Sequence, residues 1–556
     1  MVEIITIPDG DTNWGASMRT NLTELSTAID ALNGAYKKPV TGIPEIDLDA
    51  GVRTKLNSSS APTNPGMIYN VVDYGAVSDG ATNSVVAIQA AIDATPVGGT
   101  LLVPGNYAVG STLVINKAMT FKGNGSIKAT TDAACISVEA SNVTIAGISL
   151  RGRQRATWVS GARGIQSVGT LAAPYNNLSI IDVSLTSFGG SGIYLQFVND
   201  ILVSNLNLTA CTYYGVAFIC CNRALVDASS IVDINTGGLP NSYGVTASRL
   251  NGDLAVYPRS TDITVQDSLI TDVVDWVAFD THGGVRIKAI RNVVLRCKRG
   301  IDFVASVGPS GSNEFAPLDC LIMNNSVDGT GIASSHGIGF SGATGTPGSP
   351  TELATGTIIG NQVIRCGDPT NNQLGGIWLR GTEGVRITSN QVIEPGSHGL
   401  IFVSDNKSFM VTDLTVTDPW SDTHAIPSVV ATRSTYNTGV ISSFYGRRGT
   451  KTATTVLAYG FYQSDPATTS TIQMGTGCAV ESGALIAESS AGLRTFLSMN
   501  ASQITVGRGN GRLGFYGLST PIAKPTISGS RSDGTALAST ITVLTALGLA
   551  NNTTTT

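Results

Sequence analysis

The stretch Gly192-Ile193-Tyr194-Leu195 shows the pattern that decides the fold: a Gly, an apolar residue, a variable residue and a second apolar residue. The pattern returns seven times, starting at positions 215, 244, 276, 300, 337, 376 and 399, and Trp276 replaces the Gly once. Consecutive starts lie 23 to 39 residues apart. The shortest interval indicates a bare coil, and the longer ones indicate coils with inserted loops. Such repetition is typical of a solenoid, whose units must stack to bury their apolar faces.

The composition also favours a β solenoid. The chain has 556 residues, more than a single hydrophobic core normally holds. Only 13% of them are charged, whereas Gly numbers 64, which suits short strands joined by many turns better than helices. We therefore predict a mainly β protein built as a β-helix.

Charge, cysteine content and hydropathy argue against several classes of protein. A net charge of −5 without a Lys/Arg-rich run argues against nucleic acid as the main partner, since phosphate binding needs clustered cations. The eight Cys include no C-x-x-C pair, so we expect buried reduced thiols and neither a metal nor a cofactor. No apolar run reaches the roughly 18 residues of a membrane span, and the N-terminus lacks the features of a signal peptide. We expect synthesis in a cytoplasm without membrane insertion.

The first 66 residues form a separate segment in this interpretation. Their apolar residues with spacings of 4, 3, 4 and 3 are Met18, Leu22, Leu25, Ile29 and Leu32. This heptad seam predicts either a helix that packs against copies of itself or an amphipathic helix of a separate domain. The linker 57–66 ends the segment. A second helix, near residues 83–95, would cover the open end of the solenoid as a cap.

Two parts of the chain carry a family resemblance. The first consists of Val72 to Ala76, Asp79-Gly80, Ala87 to Ile92, Gly99 to Tyr107 and Phe121 to Gly125. These segments resemble the start of the pectate-lyase-3-like right-handed β-helix proteins, which are common in bacteriophage tailspikes, and the resemblance covers roughly residues 68 to 415. The tail from Lys524 to Leu549 resembles the C-terminal ends of phage tail proteins, particularly those of phages of actinobacteria.

The resemblance implies a phage tailspike or minor tail protein, a homotrimer located in the virion and released by lysis. Residues 1–66 would then attach to other tail proteins, and residues 67–415 would form the right-handed parallel β-helix. Residues 416–520 would form a C-terminal β-rich domain for trimerisation or receptor binding, followed by a phage-tail-like segment, 521–556. The host surface polysaccharide is the expected partner.

Alignment of the repeats places two carboxylates on the solenoid surface. Asp302 stands at the variable position of its copy, and Asp280 stands two residues beyond that position in the preceding copy. With strands about 4.8 Å apart, their backbones would lie about 8 Å apart. This separation suits the acid and base of an inverting glycosidase.

Further candidates lie around this pair. The residues predicted to bind substrate are His282, Arg299, His336, Trp378, Arg380 and Tyr194, with Trp378 or Tyr194 stacking on a sugar and His282 or Arg380 tuning the acid or binding an anionic saccharide. Asp275, Arg299 and His336 precede the pattern in three successive copies. They predict either an ion-pair ladder or an extension of the site, in which Asp275 is a third catalytic candidate.

Alternatives to the Asp280–Asp302 pair remain open. Glu314 and Asp319, in the insertion after Asp302, are substitute carboxylates, and a site between subunits is another option. A lyase would need a base such as Arg299 or Tyr243 and cations near a uronic acid. The predicted function is therefore binding and hydrolytic depolymerisation of a polysaccharide, with a non-catalytic receptor-binding tail protein as the alternative and a lyase as a third hypothesis.

A polar residue also recurs beside strand-like apolar residues in the solenoid. The positions are Asn205, Asp267, Asn292, Asn325, Asn361 and Asn390. Asn tolerates left-handed backbone and can hydrogen-bond to an Asn in the coils above and below, so we predict a stacked ladder in a turn.

Overall fold

The computed structural model describes residues 68–153, 157–343, 345, 348–371, 373–418, 428–433, 436–447, 459–465, 471–480, 484–489, 494–500, 503–508, 512–513, 522–523, 528–530 and 532–546. The chain divides into two units, Met1–Thr63 and Asn64–Thr556, and every described residue belongs to the second. The predicted N-terminal attachment segment and its heptad helix lie outside the described residues.

The described chain winds into coils that contribute strands to three parallel ladders, which we call faces 1, 2 and 3. Face 1 contains Ile68–Asn70, Thr100–Leu102, Met119–Lys122, Val143–Ala146, Tyr175–Ile181, Val198–Ser204, Asn222–Asp227, Thr261–Gln266, Lys288–Ile290, Cys320–Met323, Gly356–Ile359, Arg386–Thr388, Phe409–Thr412, Thr438–Arg447 and Thr471–Val480. Face 2 contains Asp79–Asn83, Asn106–Val109, Ser126–Ala129, Ser149–Arg151, Ser184–Thr186, Asn207–Thr212, Ser230–Asn235, Leu269–Thr271, Val293–Leu295, Ser326–Asp328, Gln362–Ile364, Gln391–Ile393 and Leu414–Thr417, which pairs with the end of Thr438–Arg447.

Face 3 carries the repeated pattern. Its strands are Leu113–Ile115, Ile136–Val138, Ile165–Val168, Ser191–Gln196, Tyr214–Ile219, Tyr243–Ser248, Val277–His282, Arg299–Val304, His336–Ser341, Gly375–Arg380, His398–Phe402, Ser428–Arg433, Tyr459–Asp465 and Ala484–Ser489, followed by the antiparallel strands Arg494–Asn500 and Gln503–Arg508. Short antiparallel pairs join Ser306–Val307 to Asn313–Phe315 and Arg512–Leu513 to Ile522–Ala523. The long parallel sheets are consistent with the predicted right-handed parallel β-helix.

Helix Val85–Ala94 lies within the predicted range 83–95. It buries Ile88, Ala91 and Ile92. The side chain of Gln89 forms two hydrogen bonds with the backbone of Val114. Its Nε2 donates to the carbonyl at 3.0 Å, and its Oε1 accepts from the amide at 2.9 Å. The helix therefore satisfies backbone groups of the first strand of face 3, which would otherwise be an unpaired sheet edge. A 3-10 helix, Val71–Tyr74, precedes it, and a second α-helix spans Thr535–Ala546; no helix in the described ranges is long and apolar enough to cross a membrane.

The core lies between the three faces and is built from side chains that alternate with outward ones along each strand. On face 3, Ile193 and Leu195 are buried, whereas Tyr194 between them is half-buried on the outer surface. Phe303 packs against the rings of Phe279 and Phe340 in the neighbouring coils, with centroids 5.3 and 6.3 Å away. All eight cysteines are free thiols, and seven of them are buried. Core side chains of successive coils thus pack against one another along face 3.

The predicted Asn ladder exists in part. Nδ2 of Asn292 donates to Oδ1 of Asn325 at 3.0 Å, and Asn325 and Asn361 each donate to the next Asn, the last being Asn390, at 2.9 Å. All four side chains are buried. The residue before each Asn, rather than the Asn itself, adopts the left-handed backbone.

The predicted ladder members Asn205 and Asp267 were assigned wrongly, because they occupy these exposed left-handed turn positions. Asn205 donates to Asp182 at 2.7 Å, and Asp267 accepts from Arg291.

Surface ion pairs join successive coils at left-handed backbone positions. Oδ2 of Asp267 lies 2.6 Å from Nη2 of Arg291, and the equivalent pairs in the same two coils are Asp262 with Arg286 and Asp272 with Arg296. Surface pairs of this kind contribute little and are screened by salt.

We expect the double-mutant cycle of Asp267→Asn and Arg291→Gln to give a small favourable coupling that fades as salt is raised. Chemical denaturation at low and high ionic strength measures it. A large coupling that persists at high salt would contradict this expectation.

The parallel ladders continue beyond residue 415, where the sequence predicted the β-helix to end. Strand Ser428–Arg433 pairs in parallel with His398–Phe402, and Tyr459–Asp465 pairs in parallel with it in turn. The pattern is lost because Val429 replaces the Gly and Thr432 replaces the second apolar residue. The first antiparallel partner on face 3 is Arg494–Asn500.

Candidate functional site

The candidate site lies on the outward surface of face 3. The register of the strands places Thr246, Asp280, Asp302, Gly339 and Trp378 in one column, each opposite the next. Because neighbouring strands are about 4.8 Å apart, this column crosses five coils within a short distance. The structure thus brings the two predicted carboxylates together.

Their separation differs from the sequence prediction. Strand Val277–His282 is shifted by two residues relative to the repeat, so that Ala278 rather than Trp276 takes the Gly position. That position faces the core, where Ala278 is fully buried and a Trp would not fit. Asp280 and Asp302 are consequently direct register partners with backbones about 4.8 Å apart, rather than about 8 Å. The inverting assignment therefore no longer follows from the spacing.

Asp280 is almost completely buried, with 1% of its surface exposed. Its Oδ2 accepts a hydrogen bond from Oγ1 of Thr246 at 3.2 Å and lies 3.1 Å from Nε2 of His282. Burial raises the pKa of Asp280, His282 opposes this rise, and the negative charge of Asp302 adds to it. Burial alone would lower the pKa of His282, but the charge of Asp280 and its hydrogen bond outweigh burial and raise it.

Asp302 is 2% exposed and sits in a more positive environment. Its Oδ2 accepts from Nη1 of Arg299 at 3.0 Å and lies 3.3 Å from Nε2 of His336. Burial raises the pKa of Asp302, but the charges of His336 and Arg299 outweigh burial and lower it to about 2. The two carboxyl groups are thus driven in opposite directions, which is how paired carboxylates divide the roles of acid and base.

Several buried polar atoms beside Asp302 have no hydrogen-bond partner in the structure. They are Oδ1 of Asp302, Nε of Arg299 and Nδ1 of His336, whereas Nε2 of His336 has the contact with Asp302 described above. Gly339 lies directly next to them, and a Cβ at this position would collide with Oδ1 of Asp302. Buried groups of this kind are costly unless a ligand or water satisfies them. The missing side chain of Gly339 therefore makes room for the carboxylate of Asp302 itself.

Aromatic rings lie within the column and beside it. The ring of Trp378 stacks on His336 with centroids 5.7 Å apart, and Tyr243 contacts His282 edge-on at 6.1 Å. The guanidinium of Arg299 lies 4.0 Å from the ring centre of Trp276. Trp276 was not among the predicted site residues, because the repeat assigned it to the buried Gly position.

Other predicted site residues lie apart from the carboxylate pair. Asp275 does not share a column with Arg299 and His336, because the two-residue shift puts Val277 there; its Oδ2 accepts from the amide of Thr236 at 3.3 Å. Tyr194 stands three coils from Asp280, about 14 Å away, and Arg163 covers its ring at 3.8 Å.

The remaining candidates are Arg380 and the two substitute carboxylates, Glu314 and Asp319. Arg380 lies on the strand of Trp378, two residues farther on, and its buried Nε has no hydrogen-bond partner. Glu314 accepts from the amide of Ser310 at 2.9 Å in its own hairpin, and Asp319 lies 3.4 Å from Oγ1 of Thr355 in a turn. Within the described part of the chain, no group of three or more His, Cys, Asp or Glu side chains is arranged to hold a metal ion.

The pKa of Asp302 predicts acid sensitivity. Its value of about 2 in the folded protein compares with about 3.9 in an unfolded chain. Its stabilising contribution, on the order of 2 kcal/mol, is complete above the unfolded value and is lost as the pH falls toward 2. The stabilising contribution of Asp280 depends on pH in the opposite direction. Because the pKa of Asp280 is raised in the folded protein, this contribution is present at low pH and is lost as the pH rises through the folded pKa.

We expect the wild-type protein to lose more stability between about pH 5 and about pH 2 than the Asp302→Asn variant does. Denaturant unfolding over this pH range is the measurement. Parallel pH dependences for the two proteins would show that Asp302 is not responsible.

Comparison with known proteins places the site within a familiar fold. Residues 68–302, less than half of the chain, match the family profile "Rhamnogalacturonase A/epimerase, pectate lyase-like". No curated protein gives a significant match.

Solved structures with this fold include the catalytic domain of Agl-KA, which is 15% identical with a TM-score of 0.50 and aligns over 75% of this chain and 69% of that one. They also include the Streptococcus pneumoniae surface adhesin PfbA, with 13% identity, a TM-score of 0.43 and coverages of 79% and 98%. The Dettilon tailspike protein gp208 has 15% identity, a TM-score of 0.42 and coverages of 80% and 79%. At these identities the likeness concerns the fold alone.

Proposed function

We propose that this protein is a phage tailspike or minor tail protein that binds a host cell-surface polysaccharide and hydrolyses it at Asp280 and Asp302. One observation carries the enzymatic part: two carboxyl groups of opposite pKa shift are direct neighbours on an outward face, beside unpartnered polar atoms. The phage assignment and the homotrimer rest on the sequence resemblance. A homotrimer would have about three times the 57.4 kDa mass of the chain.

The pKa shifts assign the roles in hydrolysis. Asp280, whose protonated form is favoured, donates its proton to the glycosidic oxygen as that bond breaks. Asp302, which stays ionised, either removes a proton from the attacking water or attacks the anomeric carbon itself. The two routes give products of opposite anomeric configuration, which NMR of the fresh product distinguishes.

The surrounding side chains would bind the sugar. His336 and Arg299 hold Asp302, and the partly exposed Trp378 offers an aromatic ring beside them. Arg380, two residues beyond Trp378, would bind an anionic substituent.

The lyase alternative has less support. Arg299 is already engaged with Asp302 and Trp276. Burial raises the pKa of Tyr243, and the charge of Asp280 raises it further, so this phenol is poorly suited to act as a base. The non-catalytic alternative is favoured by a different observation: both carboxyl groups are buried, as in an ion network that only stabilises the face.

Incubation of the protein with surface polysaccharide from the host tests these functions. Hydrolysis gives new reducing ends without ultraviolet absorbance, whereas a lyase gives an unsaturated uronate that absorbs. A polysaccharide that binds the protein but yields neither product would overturn the enzymatic proposal and support the receptor-binding alternative.

A further inference from the structure

Three long loops of face 3 meet beside the candidate site. They follow strands Tyr243–Ser248, Arg299–Val304 and His336–Ser341, which belong to the coil before Asp280, the coil of Asp302 and the coil after it. The connection after Val277–His282 is short, because residue 288 already begins the next strand. The three loops therefore enclose the turn that directly follows His282.

Arg259 and Glu352 join these loops. Nη2 of Arg259, in the first loop, donates to Oε2 of Glu352 in the third at 2.6 Å. Oε2 of Glu352 also accepts from the amide of Ala316, in the second loop, at 2.6 Å, and Nη1 of Arg259 donates to the carbonyl of Ala316. All three loops are thus linked through one ion pair.

A second arginine, Arg249, links the first loop to the second by hydrogen bonds. Arg249 is 4% exposed, and its guanidinium donates to the carbonyls of Gly252, Tyr257 and Val307 at 2.6 to 3.0 Å. The guanidinium carbons of Arg249 and Arg259 lie 4.8 and 5.4 Å from the ring centre of Phe315. The loops consequently form one wall held by charge-assisted hydrogen bonds.

This wall contacts the backbone of Gly283, the residue after His282. The carbonyl of Gly283 accepts from Nη1 of Arg259 at 3.1 Å, and its amide donates to the carbonyl of Val304 at 2.8 Å. Gly283 has a φ of +69°, and a Cβ there would lie 2.6 Å from the carbonyl oxygen of Phe315. The turn is therefore fixed on both of its backbone polar groups and tightly packed.

We propose that Arg259 and Glu352 are positioning residues, which hold the turn at Gly283 so that His282 stays against Asp280. The position of the imidazole follows from these contacts and does not depend on catalysis; its consequence for the rate rests on the proposed function. The groups that face His282 are Asp280 on its own strand, Asp302 and Arg299 on the next, and the Tyr243 ring on the preceding one.

NMR titration of carbon-13-labelled histidine tests the positioning. The chain has four His residues, and a His282→Gln variant assigns the signal of interest. With Arg259→Gln, we expect His282 to titrate at a lower pH, by about one unit, because it loses part of its contact with Asp280. Arg286→Gln, which breaks an exposed pair with Asp262, is the matched control and should leave the titration unchanged.

Two Glu352 variants keep the test decisive if Arg259→Gln does not fold. Glu352→Ala should shift His282 in the same direction, whereas Glu352→Gln retains an oxygen that accepts from Ala316 and Arg259 and should restore most of the wild-type value. An unchanged His282 titration in a folded Arg259→Gln or Glu352→Ala protein would overturn the proposal. Equal shifts of the His336 and His398 signals would also overturn it, since they would indicate general loosening.

The enzymatic consequence has a separate readout. The limb of the pH–rate profile that reports His282 and Asp280 should move in Arg259→Gln, with kcat affected more than KM. If the wild-type protein cleaves no polysaccharide, the proposed hydrolase function fails, while the NMR titration still decides whether the wall positions His282.

Discussion

Replacing Asp302 with Asn should lower the rate of polysaccharide hydrolysis by about 10²- to 10⁴-fold. The variant keeps the shape of the side chain and an oxygen that accepts from Arg299, but it removes the negative charge that acts on water or on the anomeric carbon. Asp280→Asn should have an effect of similar size, because it removes the proton donor. Initial rates of reducing-end release measure both variants.

Binding and stability separate a catalytic effect from a structural one. We expect Asp302→Asn to bind the polysaccharide with nearly the wild-type affinity and to unfold cooperatively. Asp267→Asn is the control, because Asp267 is also ion-paired to an Arg, Arg291 of the next coil, but is exposed in a turn. A rate for Asp302→Asn within about threefold of wild type would be far below the loss of a general base and would place the chemistry elsewhere.

Replacing Asn361 with Ala should lower the free energy of unfolding by about 3–5 kcal/mol. Oδ1 of Asn361 accepts from the backbone amide and from Nδ2 of Asn325, both at 2.9 Å. Its Nδ2 donates to the carbonyl of Ile322 at 2.9 Å and to Asn390 at 2.9 Å. Truncation leaves these groups buried without partners, and the defect lies in the middle of the ladder, where both neighbours are affected.

The denaturant midpoint and slope, measured by circular dichroism, test this prediction. Asn207→Ala is the matched control, since Asn207 is an exposed residue at the start of a face 2 strand, and its change should stay within about 0.5 kcal/mol. Solenoids couple mainly between neighbouring coils, so a broadened transition in the Asn361 variant is also expected. Equal effects of the two substitutions would show that the ladder contributes no more than an exposed Asn.

The repeat predicted face 3 well where Gly was present and poorly where it was not. Ala278 performs the role of Gly because its side chain is small enough for the core, so the copy beginning at Trp276 was aligned two residues too early. The coil of Ser428–Arg433 was missed for the same reason, because Val429 takes the Gly position there. A pattern of residue types does not reveal which small or branched residue the neighbouring coil will tolerate.

The candidate site was predicted in its members but not in its geometry. Asp280, His282, Asp302, Arg299 and His336 do lie together, whereas Asp275 was displaced by the register shift and Tyr194 lies three coils away. Trp276 was missed for the same reason, although a large aromatic residue in a Gly position is itself a signal that the alignment is wrong.

The amino-acid sequence by itself determined that the chain coils into a β-helix and which side chains of face 3 point inward or outward, because strand alternation and repeat spacing are local properties. Only the tertiary structure decided that Asp280 and Asp302 are direct neighbours, that their pKa values move in opposite directions, and that three loops meet at Gly283. These features depend on which atoms of separate coils come into contact, and a contact between coils is set by packing rather than by any local pattern.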